Sequence, residues 1–242
     1  MTTILQTIKS PIMKLHSTKN IKALSVLLLV ACFGALLYLI SCKQEQKSGI
    51  DKKVVAQIGF YETYRYNDIA QDISKLCEVA GDSTLIRSTN DFNDSVPVVY
   101  SAQASDTATI NAIIAKYGKD ILPSDLKLMW TKKTNPNGFY ELITLKTNSE
   151  GKPAMTGESV VNVSTTGKKE NIIYLAFNEE GSKQLSQLTK QNISKPIAIV
   201  YKGKVLSCPT VNSQIDGGRT EIPGNYTEQE AKDFVNEMCG RK

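Results

Sequence analysis

Histidine occurs once in the 242 residues, at His16, so any chemistry in the 200 residues beyond position 42 proceeds without imidazole. That excludes Ser-His and Cys-His nucleophilic catalysis, His-ligated zinc and histidine pH switches from this part of the chain. Cys77, Cys208 and Cys239 lie there at spacings that match no CxxC metal or redox motif. Three thiols cannot all pair within one chain. Cys77 reads as a small buried residue on a helix and Cys208 as one on a strand, and a disulfide involving Cys239 stays open in an oxidising compartment. Gly217-Gly218-Arg219 has the composition of an anion-binding nest, but no GxxxxGKS, GxxxxGKT or GxGxxG follows a strand and opens a helix, which argues against a nucleotide. Glu179 and Glu180 are adjacent, so on a helix they point apart, and as first-turn residues they suit its macrodipole better than paired acid-base work. With no nucleophile arrangement and no metal set, the reading is a non-enzyme with no cofactor and no small-molecule substrate.

Cys42 stands apart from the other thiols. It closes an uncharged run of 20 residues, Ala23–Cys42, preceded by Lys9, Lys14, Lys19 and Lys22 and followed by a polar stretch. Twenty apolar residues at the helical rise match a hydrocarbon core of about 30 Å, and the lysine bias keeps the N-terminus cytoplasmic and sends the remainder across. Leu39-Ile40-Ser41-Cys42 resembles a bacterial lipobox, in which the thiol is acylated and the leader removed. Residues 1–42 are therefore expected to be a signal peptide or a membrane anchor, with lipidation at Cys42 in the first case. Both place the following domain on the periplasmic side, and the mass of the mature N-terminus separates them.

Of the 29 basic residues, four belong to that leader, which leaves 25 against 24 acidic ones. The rest of the chain is thus close to neutral and carries no nucleic-acid footprint. After a polar linker over 43–53, the pattern predicts a strand over Val54–Tyr64. A helix capped at Asn67 or Asp68 follows, ending at Gly81, and then a loop over 82–94. A strand at Val98–Ala102 and a helix over Asp106–Tyr117 lead into a hairpin of Leu126–Thr131 with Phe139–Leu145. Beyond Pro153 come strands at Val160–Ser164 and Ile172–Phe177 around the Gly167-Lys168-Lys169 turn, and a helix opened by Asn178. A hairpin across Lys202-Gly203, a glycine-bearing loop and a last helix started by the Thr227–Glu230 capping box complete the chain. The fold class predicted is α+β, with mixed or antiparallel sheets and packed helices, in an N-terminal part over 54–152 and a C-terminal part over 153–242.

Four phrases carry a resemblance. They are Met155-Thr156-Gly157-Glu158; Phe177-Asn178-Glu179-Glu180-Gly181-Ser182 with Thr189-Lys190-Gln191-Asn192-Ile193; Ile197 through Pro209; and Ile215-Asp216-Gly217-Gly218-Arg219 through Ile222-Pro223-Gly224-Asn225-Tyr226-Thr227 with Glu230-Ala231. In this order they resemble the first periplasmic domain, with its head subdomain, of SecD and fused SecDF, accessory subunits of the Sec export channel. Phe60–Tyr64 and Ala115–Trp130 are similar, more weakly, to the fused proteins of the Bacteroidetes type. The resemblance implies a membrane-tethered domain whose partners are exported polypeptides and Sec translocon subunits. It implies a contact loop at Asp216, Gly217, Gly218, Arg219 and Asn225. The family's proton-driven cycle uses ionisable residues within its transmembrane bundle, whereas Ala23–Cys42 has none, so the domain is expected to act without its own motor. The competing expectation is a cell-envelope lipoprotein that uses the same scaffold for structural or partner binding unrelated to secretion.

Overall fold

The computed structural model describes residues 49–81, 97–166 and 172–241. The apolar run with Cys42, the whole of the expected 82–94 loop and the Gly167-Lys168-Lys169 turn lie outside the described residues. The first element departs from the expected strand. Asp51 accepts from the backbone N–H groups of Lys53 (2.9 Å) and Val54 (3.3 Å), and this cap starts a short helix, α1 (Lys52–Val55), before strand β1 (Ile58–Glu62) begins. Asp51 N–H also donates to the Met238 carbonyl at 3.0 Å, so the end of the expected polar linker is packed onto the domain.

Helix α2 (Tyr66–Ala80) starts at Tyr66, ahead of the expected cap residues; Asp68 takes the third position and accepts from the Arg65 N–H at 3.4 Å. Ile69, Ile73, Leu76 and Cys77 form its buried stripe, and Gly81 ends it at φ +64°, a conformation that a Cβ would disfavour. Strand β2 (Val98–Ala102) precedes helix α3 (Thr107–Ile121), which runs a turn further than Tyr117 and stops where Leu122, ahead of Pro123, turns extended. The predicted hairpin is β3 (Leu126–Trp130) and β4 (Tyr140–Lys146).

Next come β5 (Met155–Thr156), a 3₁₀ turn (Gly157–Ser159), β6 (Val160–Thr165), β7 (Ile173–Phe177) and helix α4 (Glu179–Gln191). The chain ends with β8 (Ile197–Tyr201), β9 (Lys204–Ser207), β10 (Arg219–Ile222) and helix α5 (Glu228–Met238). The stretch read as a glycine loop therefore contains a strand. Lys202 (φ +48°) and Gly203 (φ +71°) form the tight turn between β8 and β9, both in the left-handed region that a two-residue hairpin loop requires.

Two antiparallel sheets result. The larger has the order β2-β4-β1-β8-β9, with β3 beside β4 and β5 beside β1; the smaller is β10-β7-β6. All five residues of β1 pair with β8, Ile58 opposite Tyr201 and Glu62 opposite Ile197, so segments 54–152 and 153–242 share a sheet. A Thr131–Val205 bridge, with Lys132 N–H donating to the Val205 carbonyl at 2.7 Å, joins the end of β3 to β9, and the large sheet curls round to meet itself.

Alternation along the strands then sorts the core into three. Tyr61, Val98, Ile143, Leu145, Ala198, Val200 and Val205 fill the concave side. The outer face of β2, β3 and β4 buries Val99, Trp130 and Leu142 under α2 and α3, where the Trp130 indole donates to Asn111 Oδ1 at 2.9 Å. The outer face of β1 and β8 sends Phe60, Ile199 and Tyr201 against the small sheet, α4 and α5. Strand β8 is buried on both faces, which explains its unbroken apolar sequence IAIVY. Cys77 and Cys239 are buried and Cys208 is half-buried, and among the described residues no two of them are joined in a disulfide. No helix among the described residues is long and apolar enough to cross a membrane.

Candidate functional site

The local sequence that shapes the site is the turn from β7 into α4. Asn178 Oδ1 accepts from the Gly181 N–H at 2.9 Å, and the Ser182 hydroxyl donates to the Asn178 carbonyl at 2.7 Å. Against this turn lies the expected contact loop. Gly218 (φ +61°) brings its backbone so close that a Cβ there would stand 2.1 Å from Ser182 Oγ, and its carbonyl accepts from the Phe177 N–H at 2.9 Å. Asp216 accepts from Ser186 Oγ (2.6 Å) and Gln214 Nε2 (2.7 Å), while the Ile215 N–H donates to Thr189 Oγ1 at 2.9 Å. These bonds fix the loop along α4. Gly217 stands exposed in open space, and Arg219 is exposed at the start of β10.

Asn225 is separated from this group. Its carbonyl accepts from Lys133 Nζ at 2.7 Å, and the same ammonium pairs with Glu230 at 2.7 Å and lies 4.9 Å from the centre of the Tyr226 ring. Lys133 first, and then the Thr227 backbone, pull the Glu230 carboxyl down to about 2, whereas burial, with Glu230 nearby, pushes the Tyr226 hydroxyl up to about 12. Glu230 also accepts from the Thr227 N–H at 2.7 Å, completing the capping box of α5. The lowered pKa means the folded state favours the carboxylate. This contribution is complete above the usual value of 4.5 and is lost as pH falls through about 2. Glu230→Gln is expected to lower stability at pH 7 by about 1 kcal/mol, a modest figure because the pair is solvent-screened. In urea titrations at several pH values, the difference between parent and variant should close as the pH approaches 2.

Between α4, the outer face of β1 and β8, the Pro209–Ser213 segment and β10 lies a cavity of about 400 Å³. Leu185, Leu188, Phe60 and Ile199 give it an apolar floor; Arg219 and Glu221 are the ionisable residues along its lining. Strand β10 borders it as the edge of the small sheet. The bond from Phe177 N–H to Gly218 O makes that opposing pair hydrogen-bonded, and antiparallel pairing then alternates. Thr220 and Ile222 thus point their backbone groups at β7, and Arg219 and Glu221 point theirs to the open edge. On the other side, Val211 uses both backbone groups on Ser194 and Lys195, which turns those of Thr210 and Asn212 away from that partner. The open edge of β10 and the extended segment Thr210–Asn212, whose outward backbone groups meet no backbone partner among the described residues, therefore line one cavity with an apolar floor.

Arg219, named in the sequence reading, lines this cavity; Thr210, Asn212 and Glu221, which also line it, were not named there. The alternation Arg219-Thr220-Glu221-Ile222 was the available signal for β10, masked by the glycines before it and Pro223 after it.

The family model of the SecDF P1 head subdomain matches residues 137–238. Protein translocase subunit SecD of Acidaminococcus fermentans is 34% identical over 151 residues, covering 58% of this chain and 34% of that protein. The SecD of Magnetococcus marinus is 32% identical over 119 residues, covering 47% of this chain and 22% of that protein. The chain thus spans 22% and 34% of the length of these curated relatives. A solved structure of SecDF, a membrane component that enhances protein export, aligns at 17% identity and a TM-score of 0.35, covering 76% of this chain and 94% of that one.

Proposed function

We propose, from the premise that this chain belongs to the SecD/SecDF family of periplasmic domains, that it works in protein export by holding extended stretches of exported polypeptide. The observation that carries the reading is the pair of open backbone edges, at Arg219 and Glu221 and at Thr210 and Asn212, bordering one apolar-floored cavity. An extended chain laid there adds backbone hydrogen bonds that are indifferent to its sequence, which suits a protein that must handle many substrates. It also buries an alternate side chain on Leu185, Leu188 and Phe60.

The magnitudes favour transient holding. About four such hydrogen bonds at about 1 kcal/mol net each, with one large apolar side chain at about 2 kcal/mol, sum to about 6 kcal/mol before the cost of ordering. Association costs at least about 4 kcal/mol, which leaves about 2 kcal/mol or less, an affinity of about tens of millimolar or weaker for this contact alone, weak enough to release the chain onward. On this reading the domain is tethered to the membrane either by the retained run Ala23–Cys42 or, once the leader is removed, by the acyl chains on Cys42.

The test is a photo-activatable side chain at Thr210 in cells that secrete a stalled reporter. Adducts with the reporter are expected. If Thr210 captures only unrelated envelope proteins while the reporter stays unlabelled, the export reading fails and the envelope-scaffold expectation takes its place.

A further inference from the structure

The concave side of the curled sheet opens into a second cleft of about 310 Å³, walled by the β3–β4 hairpin, the end of β9 and the Pro223–Tyr226 segment. Its floor is the apolar concave core: Val98, Ile143 and Val205. One lining residue breaks the pattern. Strand alternation sends Ile143 and Leu145 to the concave side, and two positions earlier it sends Glu141 there as well, where an apolar residue is the rule. This half-buried carboxylate accepts from Asn135 Nδ2 at 3.2 Å, and no cation among the described residues lies within ion-pair distance of it.

The other ionisable groups lining the cleft do not balance that charge. Lys133 is spent on Glu230 and on the Asn225 carbonyl. The Cys208 thiol is held up at about 12 by burial and then by Glu141 itself, and the Tyr226 hydroxyl also lies at about 12, so both are neutral at pH 7. A narrow cleft with an apolar floor and a carboxylate that no cation among the described residues pairs fits a cation on an apolar stem.

We infer that this cleft binds an aliphatic ammonium group of the lysine side-chain type, its methylenes over Val98, Ile143 and Val205 and its cation on Glu141. The site is distinct from the groove beside β10 and stands whether or not the export reading holds. Desolvated charge pairs of this kind give discrimination that apolar contact alone does not.

The probe is Nα-acetyl-lysine methylamide, titrated into the detergent-solubilised full chain carrying labelled Ile and Val methyl groups. Ile143 and Val205 are expected to shift saturably, and Glu141→Gln to weaken binding about tenfold, with Glu141→Asp retaining most of it. The norleucine analogue, which keeps the stem and lacks the ammonium, should also bind about tenfold more weakly. Methyl signals of the α2–α3 core report that each variant is folded. Equal binding of the two probes, binding unchanged in Glu141→Gln, or no saturable shift up to about 50 mM overturns the inference.

Discussion

Glu221→Pro is expected to cut cross-linking of translocating polypeptide at Thr210 about tenfold while leaving the fold close to the parent's stability. Proline has no N–H and fixes φ in a range compatible with an extended edge strand. At Glu221 the missing donor is one that points away from β7, because the hydrogen-bonded Phe177–Gly218 pair places Glu221 and Tyr174 in a non-hydrogen-bonded pair. The loss therefore falls on an incoming chain and spares the ladder. Thr220→Pro is the contrasting variant, since it removes a donor aimed at Leu175 and should destabilise by about 3 kcal/mol. Urea unfolding separates the two, and cross-link yield is then read only on the folded protein. Undiminished capture by Glu221→Pro, with the strand intact, would show that the polypeptide does not pair with this edge.

The largest stability effect is expected at Gly157. A Cβ built there would lie 2.0 Å from the Val55 carbonyl oxygen and 3.0 Å from Ile58 Cβ, and Val55 is fully buried at the end of α1. The obstacle is backbone, which cannot step aside as a side-chain tip can. Gly157→Ala must push α1 away from the 3₁₀ turn and should cost about 3 kcal/mol, lowering the thermal midpoint by about 10 °C. Gly217→Ala, where the added carbon meets nothing within 4 Å, should stay within about 0.5 kcal/mol of the parent. Equal midpoints for the two variants would refute the close approach of α1 to Gly157. The phrase Met155-Thr156-Gly157-Glu158 thereby acquires a physical content. Met155 is buried opposite Phe60, Thr156 pairs with Gly59, and Gly157 admits the neighbouring backbone.

Much of the fold was legible because its signals act over a few residues. The Asn178 cap, the Thr227–Glu230 box, the αL stop at Gly81 and the Lys202-Gly203 turn each depend on hydrogen bonds or dihedrals within about four positions. The misreadings share the opposite property. Val54 and Val55 have strand-forming side chains, yet they lie in a helical turn whose cap residue, Asp51, is bonded to Met238. Arg219–Ile222 became a strand because β7 lies beside it, although its own residues are flanked by loop-formers.

The same division runs through the sites. The sequence by itself determined most of the elements, the caps at Asn178 and Thr227, the α+β class and the family resemblance of its C-terminal half, since periodicity and turn chemistry are local. Tertiary structure alone decided which backbone edges are left open, that Thr210 and Glu221 border one cavity, and that Glu141 faces inward with no cation among the described residues at ion-pair distance. Those outcomes follow from closure between residues such as Thr131 and Val205, and from register between β1 and β8. Burial across the whole domain sets both, and no short window of sequence contains them.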